Sequence, residues 1–271
     1  MSDPVKPDVR FLLSDIDGTL LRPDHSLTQA TVDAVRHLRD AGIHFTVASS
    51  RPPRAMRQVI EALGVDLPTV SFNGGTITHP DGRLLAAHRI PADAARTCLQ
   101  LFARHDVAVW VFADDQWLLL NLDGEYVAHE QHTLGYGPVV VDSFDPYLDR
   151  IDKIVASSGD FELLKTLEAS LNPHIEGRAL AARSQAYYLD VTAIDANKGS
   201  ALAALAKYLN VPLAHTAAIG DGGNDVAMFR QAGLSIAMGQ AEAGVARQAD
   251  RVTGTNLEDG VAQAIERFIL A

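Results

Sequence analysis

The chain carries a single cysteine, Cys98, in 271 residues. A lone cysteine excludes an intramolecular disulfide and suits a reducing compartment, where a small thiol on a helix serves as an apolar packing residue. Positive charge is scarce too: 23 Lys and Arg stand against 34 Asp and Glu, giving a formal net charge of −11 and a pI near 5.3. That balance argues against a broad electrostatic surface for nucleic acid or an anionic membrane, although a local cation can still hold a single phosphate group. No apolar run approaches the roughly 18 residues needed to cross a bilayer. The first ten residues hold two prolines and mixed charges without the apolar stretch of a signal peptide, so the expected location is cytoplasmic. The sequence also shows no internal repeat, low-complexity tract or charge run.

What is present is an ordinary folding composition, 47% hydrophobic and 21% charged, long enough for one large domain or a core with an insertion. Near the amino terminus, strand-like runs at 11–17, 43–48 and 69–72 alternate with two helical patterns. The first helix is capped by Ser26 or Thr28, buries Val32, Val35 and Leu38, and ends at Gly42. The second turns Met56, Val59, Ile60 and Leu63 inward and ends at Gly64. This alternation marks crossover units and a parallel sheet. From Thr76 the rhythm changes to a Pro80-Asp81-Gly82 turn, a helix at 92–104, a hairpin of 107–112 with 117–121, and a weaker helix at 124–134. A strand at 153–157, a helix at 161–171 and paired strands at 179–183 and 187–192 complete an α+β unit with an antiparallel sheet. Alternation returns with a helix at 198–209, a strand at 216–219, a short helix at 224–231, a strand at 234–237 and a last helix capped by Asn256. The expected fold is α/β: a Rossmann-like parallel-sheet core made of 1–82 and 195–271, with an α+β domain inserted at 83–194.

In an open parallel sheet, ligands bind outside the carboxyl ends of the strands. Polar clusters fall at such places. Asp15 and Asp17 end the first strand; strand geometry sends both side chains to one side, and Gly18 permits the turn. Two acids held close need a cation, a shared proton or an ionic substrate. Ser49, Ser50 and Arg51 end the second strand, Asn73 and Gly74 the third. Ser49 can donate to a phosphoryl oxygen or cap the helix after Pro53, and Asn73-Gly74-Gly75 can approach substrate or simply turn the chain. In Gly220-Asp221-Gly222-Gly223-Asn224-Asp225, two carboxylates and an amide suit a hard divalent cation, or cap the next helix. Lys198 opens a helix right after the insertion, as a solvated residue or as the counter-charge a phosphate among carboxylates requires. The ten histidines show no spacing typical of a transition-metal site, and His88, His105, His129 and His132 read as surface or packing residues.

The order Asp15-Ile16-Asp17-Gly18-Thr19-Leu20, Ala48-Ser49-Ser50-Arg51, Lys198-Gly199 and Gly220-Asp221-Gly222-Gly223-Asn224-Asp225 resembles the haloacid dehalogenase superfamily of phosphohydrolases. The long insertion and Asn73-Gly74-Gly75 before it resemble the Cof-type branch with a type II (C2B-like) cap. The resemblance implies that Asp15 attacks phosphorus, that Asp17 protonates the leaving alcohol and later takes a proton from water, and that Ser49 and Lys198 hold the phosphoryl group. It implies Mg²⁺ held by Asp15, the backbone carbonyl of Asp17 and Asp221, with Asp225 and Asn224 supporting that shell. Ser50, Arg51, Asn73, Gly74 and Asn224 are the remaining candidates for phosphate or substrate contact. Ser50 departs from the glycine usual in the family, which puts a hydroxyl beside Ser49.

The expected activity is a Mg²⁺-dependent phosphatase acting on small phosphorylated metabolites such as sugar phosphates. The segment 83–194 holds 9 Lys or Arg against 16 Asp or Glu, which disfavours a polyanionic macromolecule as substrate. A phosphomutase would share the aspartyl-phosphate and return the phosphoryl group to another hydroxyl. A receiver domain would be smaller and lack the insertion, and a non-catalytic relative would be expected to lose Asp15, Asp17 or Asp221.

Overall fold

The computed structural model describes residues 8–271, so the expectation for the first ten residues falls mostly outside the described residues. In chain order come β1 (Phe11–Asp15), α1 (Gln29–Asp40), β2 (His44–Ala48), α2 (Arg57–Leu63), β3 (Thr69–Ser71), β4 (Thr76–Thr78) and β5 (Leu84–Ala87). Then follow α3 (Ala92–Phe102), β6 (Ala108–Ala113), β7 (Gln116–Leu119), α4 (Val127–Leu134), β8 (Val139–Val140), β9 (Ile151–Ser157), α5 (Phe161–Ile175), β10 (Ala179–Gln185) and β11 (Tyr188–Ala193). The chain closes with α6 (Lys198–Tyr208), β12 (Thr216–Gly220), β13 (Leu234–Ala237), β14 (Arg251–Val252) and short helices around them. Two compact units result: one of the chain up to Ser50, Arg57–Leu85 and Asn197–Ala271, the other of Arg51–Met56 and Ala86–Ala196. No helix among the described residues is long and apolar enough to cross a membrane.

The first unit is built on a sheet of order β14-β13-β12-β1-β2-β3-β4-β5. β1 pairs in parallel with both β12 and β2, and β3 turns back on β4 as an antiparallel pair. The chain therefore travels one way from β1 through β2 and β3 and the other way from β12 through β13 and β14. The reversal lies between β1 and β12, the place where open α/β sheets bind ligands. Every residue of β1 is buried, as expected for a strand covered on both faces. Each of Phe11, Leu12 and Leu13 contributes about 1.5–3 kcal/mol of burial. Thr28, not Ser26, caps α1, accepting from the Thr31 N–H at 3.2 Å, and Ala34, Val35 and Leu38 form its inner face.

The second unit has a sheet of order β10-β11-β9-β6-β7-β8, antiparallel except for β7 with β8. The β6–β7 turn, Asp114 and Asp115, has φ of 52° and 59°, the twist that a two-residue hairpin prefers. One sheet face packs on α3 and α5 through Val111, Ile154, Ala156 and Leu189. Cys98 lies in that core, where burial pushes its thiol up to about 12, as befits a packing residue. Helix α5 runs four residues past the predicted end at 171 because Leu164, Leu167, Leu171 and Ile175 keep one buried stripe through Pro173. The segment Arg51–Met56 joins this unit, with the Arg54 guanidinium 4.5 Å from the Tyr136 ring centre.

Candidate active site

β1 stops at Asp15 instead of running on to Asp17 as the sequence suggests. The carbonyl of Ile16 accepts from the N–H groups of Thr19 and Leu21, so the chain is already turning at Asp17. The two acids consequently take different partners. Asp15 is buried and accepts from the Lys198 ammonium. Asp17 is partly exposed; its Oδ2 lies 3.5 Å from Ser49 Oγ and its Oδ1 3.9 Å from Nδ1 of His25. Gly18 has φ of 77°, and a Cβ there would overlap the carboxylate of Asp221. Only glycine lets the loop after β1 approach the loop after β12 this closely.

Lys198 is fully buried at the first turn of α6, where the helix dipole disfavours a cation. Carboxylates offset that cost: its Nζ donates to Asp15 and, at 2.6 Å, to Asp225 Oδ1. Burial alone would depress the ammonium, but Asp15 and Asp225 hold its pKa above the ordinary lysine value. Asp225 is also buried, and its Oδ2 accepts from the backbone N–H groups of Asp221 and Gly222 at 2.9 Å each. Asp221 is half-buried and accepts from Thr19 Oγ1 at 2.9 Å.

Oxygen atoms of Asp15, Asp221 and Asp225 all lie within 4.8 Å of one another. Burial raises the carboxyl pKa of Asp15 well above its usual range; Lys198 opposes the rise, and Asp225 and Asp221 add to it. Burial likewise raises Asp221, with Thr19 opposing and Asp225 reinforcing the shift. Three clustered carboxylates facing one ammonium are short of positive charge, and an all-oxygen donor set fits a hard divalent cation. The cluster can hold a metal ion. The carboxylate of Asp17 is not part of it.

Ser49 is buried at the end of β2, beside Asp17, and Ser50 is half-buried after it. Asn73 and Asn224 meet across the site, Asn224 Nδ2 donating to Asn73 Oδ1 at 2.9 Å. Gly74 packs against the backbone of Asn197. Arg51 groups with the second unit, and its guanidinium donates to the Ala55 carbonyl at 3.4 Å. Two members of the site had no assigned role in the sequence. Thr19 holds Asp221, and Gln240 donates from Nε2 to the Gly18 carbonyl at 2.5 Å while its Oε1 accepts from the Asn256 N–H. Asn256 therefore does not cap the last helix. Its Nδ2 donates to Leu21 carbonyl, and Asp259 occupies the cap position before Gly260.

Comparison with known proteins places the chain in a family. A family model described as haloacid dehalogenase-like hydrolase matches residues 12–265. A 5-amino-6-(5-phospho-D-ribitylamino)uracil phosphatase of Bacillus subtilis is 27% identical over 263 residues, 97% of each chain. An HMP-PP phosphatase of Escherichia fergusonii is 32% identical over 236 residues, covering 86% of this chain and 85% of its own length. The crystal structure of a haloacid dehalogenase-like hydrolase from Bacteroides thetaiotaomicron superposes with a TM-score of 0.87 at 25% identity, covering 96% of this chain and 99% of that one. With the family match running from β1 to the last helix, the chain belongs to the haloacid dehalogenase-like hydrolases, in the Cof-type family.

Proposed function

We propose that the protein is a Mg²⁺-dependent phosphatase that hydrolyses small phosphorylated metabolites, sugar-phosphate-like monoesters among them, through an aspartyl-phosphate on Asp15. The observation that carries this reading is the fully buried Lys198, held between Asp15 and Asp225 beside Asp221 at the switch point of the sheet. Both relatives named above are phosphatases, which supports the same class of reaction.

In this mechanism a carboxylate oxygen of Asp15 forms a bond to phosphorus as the bond to the ester oxygen breaks. The Lys198 ammonium favours the ionised, nucleophilic carboxylate against the effect of burial. Asp17, the more exposed of the two acids and not one of the trio Asp15, Asp221 and Asp225, gives its proton to the leaving alcohol. Asp17 then takes a proton from the water that attacks the aspartyl-phosphate, releasing inorganic phosphate and restoring Asp15. Lys198, the hydroxyls of Ser49 and Ser50 and the amide of Asn224 balance or bind the phosphoryl oxygens. Asp15, Asp221 and the backbone carbonyl of Asp17 would hold Mg²⁺, with Asp225 supporting them, and the bound ion would offset phosphoryl charge.

The unit inserted between β5 and α6 acts in this reading as a cap that recognises the leaving group. Its acidic composition favours a small substrate over a nucleic acid, and a cytoplasmic setting fits the lone reduced cysteine. The test is a phosphate-release screen over a broad panel of phosphorylated metabolites with Mg²⁺. Release from small monoesters that stops in excess chelator is the expected result. Full activity in chelator, or isomerised sugar phosphate in place of free phosphate, would contradict it.

A further inference from the structure

The turn that ends β3 takes a backbone path its residues do not favour. Phe72, Asn73 and Gly74 have φ of 50°, 58° and 106°, three left-handed residues in succession. A bulky, buried phenylalanine is a rare occupant of that region. Such conformations persist where the surroundings fix them, and they gather at functional sites. Here three contacts fix the turn, each to a different part of the site. The Asn73 N–H donates to the Ser49 carbonyl at 2.8 Å. The Asn73 side-chain oxygen accepts from Asn224 at 2.9 Å. Gly74 lies so close to Asn197, the residue before Lys198, that a Cβ would overlap its backbone atoms.

Strand order gives these contacts their meaning. Asn73 follows β3 and Asn224 follows β12, and the ends of β1 and β2 lie between them. The amide–amide bond thus bridges the two strands that present Asp15 and Ser49. We propose that Asn73 is a positioning residue for phosphoryl binding: it holds the exposed Asn224 amide in place and, through its N–H, fixes the Ser49 segment. The proposal rests on the reading of Asn224 as a phosphoryl donor. An unbound surface amide would sample several rotamers, and pairing with Asn73 removes that freedom before substrate arrives. The Nδ2 group of Asn224 carries two hydrogens; one goes to Asn73, leaving the other for a phosphoryl oxygen.

The experiment is a double-mutant cycle of Asn73→Gly and Asn224→Ala, read as kcat/KM with Mg²⁺ and, in parallel, as the affinity for inorganic phosphate by calorimetry. Glycine tolerates the left-handed backbone, so Asn73→Gly removes the amide alone. It should lower both quantities about tenfold, with Asn224→Ala costing at least as much. The double variant should fall within about twofold of Asn224→Ala alone, because the two residues act as one device. Independent, multiplying losses would overturn the proposal. So would an Asn73→Gly protein that unfolds, or that melts earlier with kcat/KM and phosphate affinity unchanged, since the amide would then be structural only. Phosphate binding that shows the coupling in a protein without turnover would refute the phosphatase reading and keep the proposal; turnover with multiplying losses would do the reverse. Neither turnover nor phosphate binding would overturn both.

Discussion

Replacing Asp225 by asparagine should damage the first unit far more than the same change at Asp221. Asp225 is fully buried and uses both carboxylate oxygens: Oδ1 accepts from Lys198 at 2.6 Å, and Oδ2 from the N–H groups of Asp221 and Gly222 at 2.9 Å. An asparagine has one acceptor oxygen and one NH₂ donor. In one orientation its NH₂ faces two backbone donors; in the other it faces an ammonium. Leaving buried groups unsatisfied costs about 1–3 kcal/mol each, and Lys198 keeps Asp15 as a partner. A loss of about 3 kcal/mol is therefore expected. Asp221 is half-buried and accepts from Thr19, and its neutralisation relieves repulsion in a metal-free cluster, so Asp221→Asn should cost no more than about 1 kcal/mol. Both tryptophans, Trp110 and Trp117, lie in the second unit, so fluorescence would report the wrong part of the molecule. Hydrogen exchange of the β1 and β12 amides in metal-free buffer is the suitable assay. Protection there should fall about a hundredfold in Asp225→Asn and much less in Asp221→Asn. Equal protection in the two variants would refute the view of Asp225 as the clamp that orients Lys198 and the β12 loop.

Three further outcomes follow from the same geometry. Mg²⁺ should raise the unfolding temperature of the first unit in the parent protein and not in Asp221→Asn; a chelator-insensitive melting profile would count against the cation site. Gly18→Ala should cut phosphate release by at least about tenfold, since the new methyl group meets the Asp221 carboxylate and φ of 77° strains alanine; parent-like kinetics would contradict the tight approach of the two loops. Burial raises Asp152 to about 6, with Arg89 opposing and Asp114 and Asp115 adding to the shift. The folded state thus prefers its neutral form, so its contribution is largest at acid pH and is lost as pH rises from about 4 through 6, by about 3 kcal/mol. Asp152→Asn should flatten that part of the stability profile of the second unit, which tryptophan fluorescence would follow, and an unchanged pH dependence would refute the assignment.

The central strands were legible because a strand covered on both faces is a short apolar run, and the polar residues that end it mark the ligand edge. β1, β2 and β12 are of this kind. The period of apolar residues was a better guide to the length of α5 than its proline, since Leu171 and Ile175 carry the stripe across Pro173. Contacts between distant loops left no local signal. Thr19 with Asp221 and Gln240 with Gly18 each join residues more than 200 positions apart, and neither side chain has a neighbour in sequence that would disclose its partner. Asn256 has a composition suited to capping, yet the Leu21 carbonyl claims its amide. The different surroundings of Asp15 and Asp17 were hidden for a related reason: alternation along a strand predicts a shared face, and the carbonyl of Ile16 ends the alternation between them.

The most direct test is phosphate release by Asp15→Asn with Mg²⁺, on protein shown to be folded. An asparagine can still accept from Lys198, so the fold should persist while the nucleophile is lost. No release above the uncatalysed rate is expected from any substrate the parent hydrolyses. Appreciable turnover by the folded variant would contradict attack by Asp15.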